Sequence, residues 1–215
     1  MFVAPADATF GEEEWRPFVE AHPFGHLVAP GGAQRDLPVV VPTQFVLDGS
    51  TVWLHLVRAN PVFGALAEDP RVLLSVADDW AFIPSSWKAI GAEDPALGIP
   101  TTYYGAVQLA GTATVHDERL VPGSVAAILR RQLGTLQPDE AVPDPATAHP
   151  AKVLGILGIE IAVSEVTAKF KYGGNVDAAH RSAVVVRLET RGGPGDRAAA
   201  AHVVERLDRE AARAD

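Results

Sequence analysis

The fold is decided by a strand pattern that is apolar on both faces, Thr51-Val52-Trp53-Leu54-His55-Leu56-Val57. Successive side chains of an extended chain alternate between the two faces of a sheet, so Val52, Leu54 and Leu56 share one of them. The opposite face carries Trp53 and is also largely apolar. A strand of this kind is covered on both sides, as happens when a sheet curls around a core. The stretch therefore predicts a closed or doubly covered sheet.

Composition limits both the class of protein and its partners. The chain has 215 residues, of which 47% are hydrophobic and 21% charged, which suits one globular domain or a large domain with appendages. Lys and Arg number 18 against 27 Asp and Glu, so the net charge is −9 and direct nucleic-acid binding is not expected. The absence of cysteine excludes disulfides and thiolate metal sites. We see no signal peptide and no apolar run near the ~20 residues of a membrane span, which predicts a cytoplasmic protein.

Further strand and helix patterns surround the opening stretch. Strands are predicted at 25–29, 37–47, 51–57, 71–77 with an extension at 80–83, 103–115 and 159–172. Helices are predicted after a capping box at Thr9–Glu12 and at 60–66, 122–133, 178–188 and 197–213, with Gly134 ending the third of them. Six strands in an order unlike β-α-β alternation predict an α+β, mainly β fold, an antiparallel barrel with peripheral helices. We assign residues 1–190 to the barrel domain and 191–215 to a linker and C-terminal helix.

The common enzyme signatures are absent from the sequence. The 19 glycines form no G-x-G-x-x-G, no phosphate-binding loop that ends in Gly-Lys, and no G-x-S-x-G elbow. The seven histidines are scattered, and none occurs in H-x-H or H-E-x-x-H spacing. We therefore predict no metal site.

The run from His55 to Pro61 is the first candidate for chemistry. It places Arg58 and Asn60 where a strand leaves the sheet and a helix begins. The guanidinium has a fixed fork of donors that suits a phosphate, and free N–H groups at a helix start favour an anion. The alternative is structural: Arg58 pairs with a nearby carboxylate such as Glu68 or Asp69, and Asn60 only caps the helix.

The second candidate is Lys169-Phe170-Lys171, which is followed by Gly173-Gly174-Asn175. Period-two spacing puts both lysines on one face of the sixth strand and Phe170 on the other. Two cations beside a glycine-rich turn favour the binding of one part of an anionic ligand. The alternative is that the lysines only form the solvated end of a strand.

The third candidate is the stretch Phe82-Ile83-Pro84-Ser85-Ser86-Trp87-Lys88. Its hydroxyl and aromatic side chains could line a pocket for a planar ligand, whereas the alternative is a turn with a Trp that anchors the core. A serine nucleophile would need a positioned base, and the sequence offers none.

Together these motifs resemble the PaiB family of FMN-binding split-barrel proteins, often labelled negative transcriptional regulators. The matching segments are His22-Pro23-Phe24-Gly25, His55 to Pro61, Ile83-Pro84-Ser85-Ser86-Trp87, Pro100-Thr101, Ile159-Glu160-Ile161, Lys169-Phe170-Lys171 and Asn175. They follow the family's order over roughly residues 1 to 180. Two departures stand out: Tyr172-Gly173-Gly174-Asn175 replaces the family's common Leu-Ser-Gln-Asn, and Thr102-Tyr103 replaces Trp-Asn.

The resemblance implies a six-stranded split barrel, related to pyridoxamine phosphate oxidases and flavin reductases, that forms a homodimer with FMN between its subunits. The implied cofactor-binding residues are His55, Arg58, Asn60, Ser86, Trp87, Lys169, Lys171 and Asn175. Heme or a deazaflavin is the alternative ligand of the same groove. Two functions stay open: an FMN-dependent oxidoreductase or redox protein, and a non-catalytic regulatory module that acts through partners, because no basic recognition helix is present for direct operator contact.

Overall fold

The computed structural model describes residues 1–33, 35–88 and 94–214. The strands are β1 (Phe24–Ala29), β2 (Val39–Gln44), β3 (Val46–Asp48), β4 (Thr51–Val57), β5 (Arg71–Ile83), β6 (Thr101–His116) and β7 (Ile156–Lys171). The α-helices are α1 (Glu12–Ala21), α2 (Val62–Glu68), α3 (Ser85–Lys88), α4 (Ser124–Leu136), α5 (Pro145–Ala148), α6 (Pro150–Val153), α7 (Ala178–Arg191) and α8 (Asp196–Ala214). Across the described ranges, no helix has both the length and the apolar character needed to cross a membrane.

The seven strands form one sheet in the order β2-β1-β5-β6-β7-β4-β3. The pairs β1–β2, β1–β5, β3–β4 and β4–β7 are antiparallel, which confirms the predicted antiparallel α+β class. The strand count is seven rather than six because the predicted strand 37–47 is divided at Phe45. This residue is 1% exposed, and its N–H donates to the carbonyl of Pro23 (3.0 Å) instead of continuing one ladder.

Backbone contacts group the chain into two compact units. The first unit comprises Met1–Trp15, Ala77–Val107 and Ala168–Asp215, and the second comprises Arg16–Val76 and Gln108–Thr167. Both are discontinuous in sequence because β5, β6 and β7 contribute residues to each of them. The division into residues 1–190 and 191–215 stays a prediction.

The second unit holds the strand that opened the sequence analysis. Leu54 lies opposite Ile159 of β7, and both side chains are fully buried. At one end of the strand order, β2 also contacts β4, so the sheet curls back within this unit. Close packing requires glycine at 158, because a Cβ there would lie 2.4 Å from Cδ1 of Ile128 on α4.

The first unit is held together by α7 and α8, which pack against each other. The N-terminal segment joins this unit through an isolated bridge between Ala8 and Lys169. Arg206 of α8 is 3% exposed and is paired with the equally buried Glu14. The N-terminus and the C-terminal helix are therefore linked by a buried ion pair.

Several local predictions need correction. Glu14 takes part in the N-terminal cap: its carboxylate accepts the Phe10 N–H (2.7 Å) and the Thr9 hydroxyl (3.0 Å). Helix α4 continues through Gly134 to Leu136, because a glycine facing open space costs only about 1 kcal/mol in a helix. The irregularity expected in β5 is one residue, Asp79 at φ 53°, and the strand is continuous through it.

Candidate functional site

A groove of about 660 Å³ opens within the first unit. It is walled by the N-terminal segment, by the end of α3, by the chain from 97 to 103, and by β7 with the turn that follows it. Its polar lining residues are Asp7, Lys88, Thr101, Tyr103, Lys171 and Asn175. The structure thus brings together Lys171 and Asn175, which the sequence predicted, with Lys88 and Tyr103, which it did not.

Lys88 and Lys171 give the groove its positive charge. Among the residues that the structure describes, neither lysine has an ion pair. Burial lowers the pKa of Lys88, and the charge of Lys171 lowers that pKa further. Asp7 also lines the groove but is paired with Lys169, and a bound anion would relieve the repulsion between Lys88 and Lys171.

Tyr103 also lines the groove, and its hydroxyl is a buried polar atom beside the turn at Gly173. The residue is 1% exposed, and its ring meets that of Tyr172 edge to face with centroids 6.1 Å apart. Among the described residues the hydroxyl has no hydrogen-bond partner. Burial raises its pKa to about 12, so it stays protonated and can donate at neutral pH. No sequence signal marked this hydroxyl, which has no partner among the described residues.

If the groove holds the FMN that the family resemblance implies, we expect Tyr103→Phe to weaken FMN binding without lowering the free energy of unfolding. A neutral hydrogen bond contributes about 0.5–1.5 kcal/mol, which corresponds to a Kd roughly 2- to 10-fold higher. Stability should be maintained because the hydroxyl has no protein partner among the described residues. Flavin titration and urea unfolding measure the two effects, with Tyr104→Phe as the matched control. A loss of stability at an unchanged Kd would show that the hydroxyl is structural.

The glycine pair that departs from the family pattern has a steric reason. Gly173 has φ +80°, and a Cβ there would lie 2.3 Å from the Tyr103 hydroxyl. At Gly174 a Cβ would lie 2.2 Å from the backbone carbonyl oxygen of Ala6. The turn therefore excludes the Ser and Gln side chains because Tyr103 and the N-terminal segment occupy their space.

Lys169 differs from Lys171 although both lie on the same strand face. Its ammonium lies 3.7 Å from a carboxylate oxygen of Asp7 and donates to the Phe2 carbonyl (3.2 Å). Phe170 between the two lysines is fully buried, as the alternation predicted. Lys169 thus holds the N-terminal segment in place, and Asp7 neutralises its charge.

Ser86 and Trp87 lie on α3 and contact α7. The Ser86 carbonyl accepts a hydrogen bond from Arg187 (3.4 Å), and the guanidinium of Arg191 lies 4.7 Å from the ring centre of Trp87. Arg191 also donates to the Phe82 carbonyl (2.8 Å). Of this short helix, Lys88 reaches the groove.

The Arg58 motif lies in the second unit, where the guanidinium is already paired. Its Nη1 and Nη2 donate to the two carboxylate oxygens of Asp117 (2.5 and 2.7 Å), and its Nε donates to the Leu154 carbonyl (3.2 Å). This pairing lowers the pKa of Asp117 to about 2. Glu68 and Asp69, which sequence reasoning offered as partners, pair with other arginines. Any phosphate at Arg58 has to compete with Asp117.

The neighbouring motif residues also have defined roles. The Asn60 side chain accepts the N–H of Val62 (3.0 Å), the first residue of α2, which agrees with the structural alternative for this residue. Nδ1 of His55 lies 2.6 Å from Oε1 of Gln132 on α4, and Gln132 is 4% exposed. A hydrogen bond from Nδ1 to this amide oxygen holds the imidazole ring in place.

The groove of the first unit carries several hydrogen-bond donors. Two ammonium groups, a phenol with no protein partner and the Asn175 amide are all hydrogen-bond donors, as a phosphate requires. Its volume lies within the ~300–1,000 Å³ that is usual for small-molecule pockets. Residues 1–165 match the sequence profile of the family described as "Putative FMN-binding domain".

The chain belongs to this FMN-binding domain family. Membership confirms FMN as the expected cofactor. Lys88 and Tyr103 lie within the matched range, whereas Lys171 and Asn175 lie beyond it. No curated protein sequence is significantly similar to the chain.

Three solved structures are similar in fold to this chain. The flavocytochrome Anf3 from Azotobacter vinelandii is 22% identical with a TM-score of 0.58, over 81% of this chain and 74% of that one. A conserved hypothetical protein, Rv2991, from Mycobacterium tuberculosis is 14% identical with a TM-score of 0.57, over 82% and 94%. The FAD and heme binding protein from Mycobacterium smegmatis is 19% identical with a TM-score of 0.54, over 81% and 78%. These similarities confirm a flavin-binding split-barrel fold.

Proposed function

We propose that the chain is a PaiB-type flavoprotein, an FMN-dependent redox protein or flavin-linked regulator, whose flavin phosphate binds in the groove of the first unit. The observation that carries this proposal is the pair Lys88 and Lys171, which line the groove with no ion pair among the described residues. A phosphate monoester carries about −1.5 to −2 charges at pH 7. It therefore matches two ammonium groups in charge.

The groove residues divide the work of binding. Lys171 and Lys88 neutralise the phosphate, while Asn175 and Tyr103 donate hydrogen bonds that fix its position. Lys169 acts indirectly, because its contacts with Asp7 and Phe2 hold the N-terminal wall of the groove. The bound flavin supplies electron or hydride transfer, and the protein positions it and limits its contact with solvent.

The visible spectrum of the freshly purified protein, with mass spectrometry of what it carries, tests the ligand. A flavin spectrum and the mass of FMN are expected. Two of the similar structures have names that mention heme or a flavocytochrome. A Soret band in the spectrum would therefore identify heme, and not FMN, as the ligand. Colourless protein that gains no affinity for added FMN would overturn the proposal.

A kinetic experiment separates the redox protein from the non-catalytic regulatory module. Flavin-loaded protein is mixed rapidly with reduced nicotinamide nucleotide, and the flavin absorbance is followed. Rapid bleaching supports a redox protein. Dithionite is the positive control, because it should reduce the bound flavin. A flavin that dithionite reduces but the nicotinamide nucleotide does not favours the regulatory module.

We also propose that the protein acts as a cytoplasmic homodimer. Trp80 and Phe82 lie on one face of β5 in the first unit and are 56% and 51% exposed. Adjacent exposed aromatic side chains favour association, because their burial removes apolar surface from water. Light scattering should give twice the chain mass of 22.7 kDa, and a monomer at micromolar concentration would contradict this part.

Arg58 is tested separately, since its role in binding stays a prediction. If Arg58 binds phosphate, Arg58→Ala should raise the Kd for FMN by about tenfold or more, because a charge-assisted hydrogen bond is lost. Asp117→Asn should then lower the Kd, because it frees a guanidinium that Asp117 now holds. Flavin titration measures both variants, and unchanged constants would restrict Arg58 to its structural ion pair.

A further inference from the structure

The chain contains four lysines, and their surroundings differ. Lys152 is exposed in the last turn of α6, and Lys169 is paired with Asp7. Lys88 and Lys171 line one groove and have no ion pair among the residues described. Lys88 is partly buried, and the charge of Lys171 is close enough to act on it.

We propose that Lys88 is a self-acylation site for small acyl phosphates, whose phosphate group binds in the groove beside Lys171. The inference rests on the proposed function only in treating this groove as a phosphate site. Lys171, Asn175 and the Tyr103 hydroxyl would hold the phosphate, which leaves the acyl carbon near the amine of Lys88. No cofactor, metal or catalytic partner is needed for the reaction.

Two properties of the groove favour the reaction. An amine attacks only in its neutral form, and burial together with Lys171 lowers the pKa of Lys88 and raises the neutral fraction. The groove also concentrates the acyl donor next to this amine, because an acyl phosphate is an anion. A lysine with only one of these properties would react less selectively.

The covalent step is an acyl transfer that balances without a further reagent. The lone pair of Lys88 Nζ attacks the acyl carbon, and a C–N bond forms. The bond from that carbon to the bridging phosphate oxygen breaks, and inorganic phosphate leaves with the bonding electrons. The amine proton passes to water, and the product is an uncharged amide.

Acylation would change the groove as a binding site. It removes one of the two cations and fills part of the space beside Lys171. We expect acylated protein to bind FMN more weakly, so that acyl-phosphate concentration would control flavin loading.

The test uses the full-length, flavin-free protein and acetyl phosphate, with peptide mass spectrometry of all four lysines over time. Lys88 should be acetylated at least about tenfold faster than Lys152. Lys171→Gln should remove this preference, whereas Lys152→Arg should leave Lys88 unchanged. Circular dichroism confirms that each variant is folded. Equal rates at Lys88 and Lys152 in the folded wild-type protein would overturn the inference.

A second acyl donor separates phosphate docking from simple amine reactivity. Acetic anhydride is uncharged, so the preference for Lys88 over Lys152 should be several-fold smaller with it than with acetyl phosphate. Inorganic phosphate should compete with acetyl phosphate and leave the anhydride reaction unaffected. The same preference with both donors would refute docking by phosphate.

FMN protection distinguishes this inference from the proposed function. Protection of Lys88 by FMN supports both. Preferential acetylation that FMN does not slow would retain the Lys88 site and move the flavin phosphate elsewhere. FMN binding that depends on Lys171, with no preference for Lys88, would retain the flavin site and refute acylation.

Discussion

Lys171→Gln should raise the Kd for FMN by about 10- to 100-fold. The variant removes one of the two groove cations that have no ion pair among the described residues. Hydrogen bonds to charged groups contribute about 1.5–3 kcal/mol, and each 1.4 kcal/mol is a factor of ten in Kd. Fluorescence titration of the flavin measures the effect.

Lys152→Gln is the matched control, because it removes the same charge from an exposed position on α6. It should leave the Kd within about threefold, since a solvent-exposed charge outside the groove is screened. Both variants should unfold at the same urea concentration as the wild type. Equal effects of the two substitutions would mean that net charge, and not the groove, governs binding.

Arg206→Met should destabilise the protein by about 3–5 kcal/mol, the range for breaking a buried ion pair. The side chains of Arg206 and Glu14 are 3% and 6% exposed, and their charged atoms lie 2.5 Å apart. Arg206 also donates to the Ala8 carbonyl (3.0 Å) and lies over the ring of Phe10. The substitution leaves the Glu14 carboxylate buried without its cation. Urea unfolding measures the loss.

Arg209→Met on the same helix is the control. Arg209 pairs with Glu205, whose side chain is 49% exposed, and exposed pairs contribute about 0–1 kcal/mol. The double variant Glu14→Gln with Arg206→Met should be more stable than Arg206→Met alone, because it no longer buries an unpaired charge. Equal losses in the Arg206 and Arg209 variants would contradict a special role for the buried pair.

Strand alternation correctly predicted how the side chains at the end of β7 are arranged. It put Lys169 and Lys171 on one face with Phe170, which is fully buried, on the other. It could not separate the two lysines, because Asp7, which neutralises one of them, is 162 residues away in sequence. The sequence did not mark Lys88 as a site residue for a similar reason. Its lowered pKa depends in part on Lys171, which lies on a different element.

Local sequence also did not identify the partner of Arg58. The motif left Arg58 either available for a phosphate or paired with a nearby carboxylate, and the residue that pairs with it, Asp117, directly follows β6. Local sequence offered Glu68 and Asp69 as partners, and both are engaged elsewhere. Ion pairs between distant segments depend on how strands are ordered in the sheet, and periodicity does not report that order.

The amino-acid sequence by itself determined the antiparallel α+β class, the positions of nearly all strands and the absence of thiol chemistry, because alternation and composition are local properties. The tertiary structure alone decided which groups surround each cation. It paired Arg58 with Asp117 and Lys169 with Asp7, and left Lys88 and Lys171 together in one groove. The physical reason is that a charge acts through the groups that folding brings within a few ångströms of it, and these come from distant parts of the chain.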